Sequence, residues 1–280
     1  MADLNDIEID RSDQPPVTLP PPRSQGSAVW AGAIVAAIVF AGGLWYVTSR
    51  QQPAAAPPAV TAPVARATEP ERPEAPLVQA ANIELPPLPQ TDALVRELVG
   101  RLSSHPTVAA WLATKGLIAN FTVVTLAIAE GRTPAQFLHP IAPHGPFRTM
   151  SARDGLFVDP RSYERYNPHG DAIGALDAAG TASLYLTLKP RITDAYHDLG
   201  YPEGDFDRVL ERAIGVLLQT PAPGDKVALS RNSVTYAFSD PGLQSLSPAQ
   251  KQLLRLGPRN AQAVRSKLEE IAALLKLHPR

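Results

Sequence analysis

The densest group of side chains able to recognise a ligand is the run Asp159 to Tyr166, DPRSYERY, which holds Arg161, Tyr163, Arg165 and Tyr166. Arginine and tyrosine are the side chains most favoured at recognition hot spots, and guanidinium groups stacked on rings suit sugars or peptide termini. The same run also reads as a capped surface helix whose tyrosines pack inward. Tyr201, at the Tyr201-Pro202 corner, carries the same two readings. Glu203, Asp205 and Asp207 are spaced like alternate ligands of a calcium loop, but Gly204 is misplaced for one and a helical pattern starts at once. They read better as a cap and first-turn acids at the positive end of a helix. His105, His139, His144, His169, His197 and His278 form no HExxH motif and no i, i+4 pair. No metal and no cofactor is therefore expected.

Cysteine is absent, which excludes disulfides, thiolate metal sites and Cys nucleophiles. No GxSxG elbow, P-loop or dinucleotide fingerprint is present. Two carboxylates can still meet in the fold, as Glu164 and Asp171 would in a cleft, so a hydrolase acting on cell-wall material stays open. The formal net charge is -1, with no basic patch, and nucleic acid is not an expected partner.

The elements that must position these groups begin with a membrane anchor. Ala28 to Val47 contains no charged residue. At about 1.5 Å per residue it spans roughly 30 Å, the thickness of the hydrocarbon layer. Trp30 lies near one end, and Trp45 and Tyr46 lie at the other, where amphipathic rings favour the interface. The preceding residues include Asp3, Asp6, Glu8, Asp10 and Asp13, an acidic start unlike a cleavable signal. Arg11 and Arg23 before the span balance Arg50 and Arg66 after it. The tail inside and the domain outside is chosen by analogy with other tethered domains. Ala28, Gly32 and Ala36 share one face of the span, and small residues at i, i+4 allow helix backbones to pair, so a homodimer is open.

Ten of the 30 prolines fall between Pro53 and Pro89. The expected organisation is an acidic cytoplasmic tail (1–27), a transmembrane helix (28–47), a disordered Pro/Ala tether (48–90) and a globular domain (91–280).

The globular part is expected to be mainly α, in an α+β arrangement with two small β-hairpins. Leu94, Leu98 and Leu102 repeat at helical spacing, Val108 to Ala113 is a short helix, and Leu117 to Ala129, apolar nearly all round, is the buried central helix. Phe147 to Ser151 and Leu156 to Val158 flank Arg153-Asp154-Gly155, whose Asp-Gly pair signals the turn of the first hairpin. Val227 to Leu229 pairs with Val234 to Phe238 across a turn at Arg231-Asn232 in the second. The stripe Tyr185, Leu188, Ile192, Tyr196 and Leu199 predicts a helix kinked or broken at Pro190. Asp205 caps a helix with the stripe Phe206, Leu210, Ala213 and Leu217. Ser247-Pro248 starts the last helices, and Ala261, Val264, Leu268, Ile271 and Leu275 form a stripe too short for a coiled-coil seam, so it belongs to the core.

The segments LPPLPQTDALVRELV, HPTVAAWLA, IAEGRTPAQFL, DPRSYERYN, LKPRITDAYHDLGYPEGDFDRVLERAI and TYAFSDPGLQSLSPAQKQLLRLGPRNAQAV resemble a bacterial family, domain of unknown function 3014, in matching order from about Leu85 to Leu275. The resemblance implies an envelope-anchored domain in Gram-negative bacteria. It brings no catalytic residue, cofactor or ligand with it. The expectation is thus an inner-membrane, single-pass protein whose periplasmic domain binds an envelope protein or cell-wall component, with catalysis less expected than binding. A structural role through self-association of the span is a third reading.

Overall fold

The computed structural model of the chain describes residues 78–279, apart from 223, 225, 233 and 234. The expected tail, the span with Ala28, Gly32 and Ala36, and most of the tether lie outside the described residues. Among the described residues no single helix is long and apolar enough to cross a membrane.

Among the described residues ten α-helices and four strands follow in chain order. They are α1 (Asp92–Leu102), α2 (Pro106–Leu112), α3 (Leu117–Ala129), β1 (Thr149–Ala152), β2 (Gly155–Val158), α4 (Arg161–Glu164), α5 (Asn167–Gly174) and α6 (Ala178–Asp198). Then come α7 (Phe206–Leu218), β3 (Ala228–Asn232), β4 (Thr235–Phe238), α8 (Pro241–Ser245), α9 (Pro248–Arg255) and α10 (Gly257–Leu274). The fold is mainly helical with a small antiparallel sheet.

Apolar periodicity decides the core. Helix α3 is buried on nearly every side and packs against α6 and α7. Helix α10 lies across α5, α6 and α7, burying Ala261, Val264, Leu268 and Ile271. The α7 stripe Phe206, Leu210, Ala213 and Leu217 is buried as expected. In α1 the fully enclosed residues are Val95 and Val99 beside Leu98, while Leu94 and Leu102 are only partly covered. Caps follow the sequence signals. Asp177 accepts from the Ala179 and Gly180 amides, Asp205 accepts from the Asp207 amide, and Ser247 and Gln250 form a reciprocal capping box.

Four expectations are corrected. Of the kink or break expected at Pro190, the break does not occur, since α6 continues through that residue. That residue is exposed, on a side where water can replace the missing donor. Leu199, expected in the buried stripe, is 41% exposed because the helix has ended at Asp198, just before Gly200 turns the chain with φ 97°. The two hairpins are one four-stranded sheet, ordered β1-β2-β3-β4, because Leu156 and Phe157 of β2 pair with Leu229 and Ala228 of β3. Arg231 and Asn232 are strand residues, not a turn, since Asn232 pairs with Thr235. In the first hairpin Ala152 pairs with Gly155, so Arg153 and Asp154 make the turn and Gly155, φ 143°, takes the backbone region that a side chain disfavours. The sheet has its own small core of Val158, Val227 and Leu229, separate from the helical one.

Residues 78–90, expected to belong to the tether, pack on the domain. Ile83, Leu85 and Leu88 are partly buried against the helical core. The Ala81 amide donates to Thr187 Oγ1 at 2.8 Å, and Ser183 Oγ donates to the Gln79 carbonyl at 2.6 Å.

Candidate functional site

The DPRSYERY run forms the link between the sheet and the helices. Asp159, nearly buried, accepts from the Arg161 amide at 2.9 Å and from the Arg161 guanidinium at 2.6 and 3.1 Å. The guanidinium holds the Asp159 carboxyl below the ordinary carboxylate range, and the carboxylate raises Arg161 in turn. Ser162 binds the end of β1 as a strand would: its hydroxyl donates to the Arg148 carbonyl and accepts from the Arg148 amide, both at 2.8 Å. These contacts fix α4 against the sheet.

Tyr163 is half-buried between the small core and α10, and burial pushes its phenol up to about 12. A Cβ on Gly257 would lie 2.6 Å from Tyr163 Cβ, so the ring sits directly on that backbone. Tyr166 is 1% exposed and belongs to the helical core, with its phenol raised by burial. Between them Arg165 donates from Nε to the Ser162 carbonyl at 3.0 Å and from Nη1 to the Gly145 carbonyl at 2.9 Å. Its guanidinium carbon lies 5.2 Å from the Tyr166 ring centre and 5.9 Å from that of Phe147. Phe147 in turn meets Tyr236 at 5.6 Å, and Tyr236 is 43% exposed. The chain thus brings Arg165 and Tyr166 together with Phe147 and Tyr236, two rings that sequence reasoning left out of the group. Strand alternation marked Tyr236 as inward-facing, but the structure leaves it exposed.

Arg161 turns to Asp159 and Tyr163 to Gly257. Tyr201 belongs to another corner, stacked on Tyr196 with ring centres 4.7 Å apart and planes within 7°. Gly204 is the seat of that stack, since a Cβ there would lie 3.0 Å from Tyr196 Cζ.

Asn260 is the residue the sequence did not flag. Only 2% exposed, it donates through Nδ2 to the Leu256 carbonyl at 3.0 Å, to Asn167 Oδ1 at 3.1 Å and to the Tyr163 carbonyl at 3.3 Å. It therefore joins α10, α5 and α4 at one point. A Cβ on Gly170 would lie 2.8 Å from Asn260 Cγ, which explains a glycine inside α5. Its only sequence signal is a polar residue beside the α10 stripe.

The acids are engaged elsewhere. Asp171 meets Arg259 at 2.5 Å, while Glu164 is exposed on α4. Asp207 joins α6 to α7, accepting from the Tyr185 hydroxyl and from Lys189 Nζ, each at 2.5 Å. His169 is buried, donating from Nε2 to the Ile141 carbonyl at 2.6 Å, and burial lowers its pKa. Among the described residues no three His, Asp or Glu side chains are grouped to hold a metal ion. A shallow cavity of about 240 Å³ lies apart from the run, walled by Pro221, Leu253, Leu254 and Ala261, with Arg265 tied to the Thr220 carbonyl at 2.6 Å.

No curated protein matches the chain, and no solved structure does. One family matches over residues 117–272, from the central helix to the last turns of α10, a stretch that contains the run, the sheet and Asn260. The chain belongs to that family, DUF3014, described as proteins of unknown function.

Proposed function

We propose that this protein is a single-pass inner-membrane protein whose domain, held outside the membrane by the Pro/Ala tether, is a non-catalytic binding or envelope-assembly module. The anchoring part rests on the twenty uncharged residues Ala28 to Val47 and their aromatic ends. The binding part rests on one observation, the cluster of Arg165, Phe147 and Tyr236, whose two rings are tilted by 49°. Its guanidinium is already tied to two carbonyls and its outer ring stays exposed. A surface held this rigidly loses little freedom when a ligand covers it, which favours binding.

A photo-crosslinker placed at Tyr236 in cells is expected to capture an envelope component, and Arg165→Ala is expected to abolish the adduct. A crosslinker at Glu269, on α10, serves as the control. Equal capture at both positions, or capture unaffected by Arg165→Ala, refutes the binding site. Placement is tested separately: a reporter active only in the periplasm, fused after Arg280, is expected to be active, and a silent reporter refutes the orientation.

A further inference from the structure

Of the six histidines only His169, on α5, is buried. Its Nε2 donates to the Ile141 carbonyl at 2.6 Å, which ties α5 to the short turn His139–Ile141 and to the segment that runs on to Phe147 and Arg148. The other ring nitrogen, Nδ1, is buried and has no hydrogen-bond partner among the described residues. A neutral ring needs no acceptor there, because with the proton on Nε2 the Nδ1 atom carries a lone pair. A charged ring does need one. The Tyr166 carbonyl, which acts in favour of the charged ring, already accepts from the His169 and Gly170 amides at 3.0 Å each, so both its lone pairs are occupied.

The groups around the ring work in the same direction. Helix α2 packs on the turn His139–Ile141, and Thr107 Oγ1 reaches the Pro168 carbonyl, beside His169, at 3.4 Å. His105 caps α2, its Nδ1 accepting from the Thr107 amide at 3.2 Å, a contact that exists only while that nitrogen is unprotonated. Charge on His105, or on the exposed His144 of the segment, disfavours charge on His169. Tyr166 meets the His169 ring edge-on with centres 6.1 Å apart, and burial raises its phenol, so it stays neutral. On α10, Arg259 is matched by Asp171, and Asn260, which lies over Gly170, carries no charge. Among the described residues no carboxylate pairs with a histidine.

A proton on His169 therefore meets three penalties: burial of a charge, an Nδ1–H without a free acceptor, and repulsion from two further imidazolium groups. Swinging out to water removes all three and gives up one bond to Ile141. The far end of the segment has ties of another kind. Arg165 holds the Gly145 carbonyl and Ser162 holds both backbone groups of Arg148, and neither side chain titrates near neutral pH.

We infer that His169, with His105 and His144 around it, is an acid-sensitive latch: the neutral ring holds the turn His139–Ile141 closed, and acidification releases residues 139–144 while the Arg148 end stays pinned. Burial lowers the pKa of the closed ring, so the closed state is fully favoured above the ordinary imidazole range and loses its advantage as pH falls below about 6.5. The latch uses neither the anchor nor its orientation, and it stands whether or not the Arg165 cluster binds a ligand.

Amide exchange of the full-length protein, corrected for the intrinsic rate at each pH, reads the latch. One proton taken up on opening favours the open state by up to about tenfold per pH unit. The Ile141 and Ala142 amides, bonded to the Leu138 and His139 carbonyls, are expected to exchange at least tenfold faster at about pH 5 than at about pH 7, while the amides of α3 keep their rates. His169→Gln, which keeps a donor for the Ile141 carbonyl and cannot be charged, is expected to abolish the difference. His105→Asn, which keeps a cap without a titrating ring, is expected to reduce it. A corrected rate that does not change with pH, an equal acceleration in α3, or a difference that survives His169→Gln overturns the inference. The ring resonances of the wild type give a measurement that needs no variant: His169 is expected to titrate below the ordinary imidazole value and in step with the exchange. Titration at the ordinary value with Ile141 and Ala142 still protected overturns the latch as well.

Discussion

Gly257→Ala separates the structural and recognition readings of Tyr163. Gly257 has φ 80°, where a side chain costs about 1–2 kcal/mol. The added Cβ would also lie 2.6 Å from Tyr163 Cβ and 2.7 Å from Cδ1. The tyrosine cannot retreat freely, because its backbone carbonyl is held by Asn260 and its ring lies against the small core of the sheet. Overpacking of this kind costs about 1–3 kcal/mol. The sum, about 2–5 kcal/mol, corresponds to a fall in Tm of roughly 5–15 °C for a domain of this size. Thermal unfolding followed by circular dichroism measures it. In a Tyr163→Gly background, which removes the Cβ as well as the ring, the steric part disappears and only the backbone part at Gly257 remains, so a double-mutant cycle should return a coupling of about 1–3 kcal/mol. A neutral Gly257→Ala, or the same cost in both backgrounds, refutes the placement of the ring.

Gly170→Ala drives a Cβ into Asn260 and should cost about 1–3 kcal/mol, with Asn260→Ala relieving part of it; additive unfolding energies would refute the contact. Asp177→Ala removes the α6 cap and should cost about 1 kcal/mol in urea unfolding at unchanged m-value. Folding depresses the pKa of His169 by burial, so the unfolded chain binds more protons near pH 6 and stability falls as pH drops below about 6.5. His169→Gln, which keeps a donor for the Ile141 carbonyl, should flatten that slope between about pH 5 and 7 in pH-dependent melts. Asp159 is depressed by Arg161, so its contribution is present above the unfolded carboxylate pKa and is lost as pH falls through the folded one. The stability gap between wild type and Arg161→Gln should therefore close on acidification from about pH 4 downward; a gap independent of pH would refute the pairing.

What could be read from the chain follows the range of the forces involved. Helices α7 and α10 were legible because their apolar stripes carry their own period, α3 because its run is apolar nearly all round, and Asp205 and Ser247 because a cap acts within three residues. The joining of the two hairpins was not legible, since Leu156 meets Leu229 across a long stretch of helical sequence and neither strand signals its partner. Tyr163 and Tyr166 look equivalent on a short helix. Only the position of α10 makes one an intermediate neighbour of Gly257 and the other a core residue. The segment 79–88 hid behind its composition: its alternation is present in the letters, but the hydroxyls that hold it lie about a hundred residues away on a helix.

The polar contacts around Phe147 explain why the exposed Arg165–Phe147–Tyr236 cluster favours binding. Long or charged side chains repeatedly reach out of a helix to hold the backbone of a loop. Asp92 accepts from the Gly116 and Leu117 amides at 2.9 Å, and Arg96 donates to the Leu112 carbonyl at 2.7 Å and the Thr114 carbonyl at 2.6 Å. Arg165 does the same for the Gly145 carbonyl, and Ser162 for both backbone groups of Arg148. The segment from Gly145 to Arg148 that presents Phe147 is therefore pinned at both ends by α4 and its neighbouring turn. Ordering a loop residue costs about 1–2 kcal/mol. Here that cost falls on folding and not on ligand capture. Arg165 thus has two roles, a face beneath Phe147 and a clamp on the loop that carries it. Arg165→Lys keeps the charge but cannot hold both carbonyls in one plane. It should therefore lose most of the Tyr236 crosslinking that Arg165→Ala loses, whereas a purely charge-driven site would tolerate the lysine.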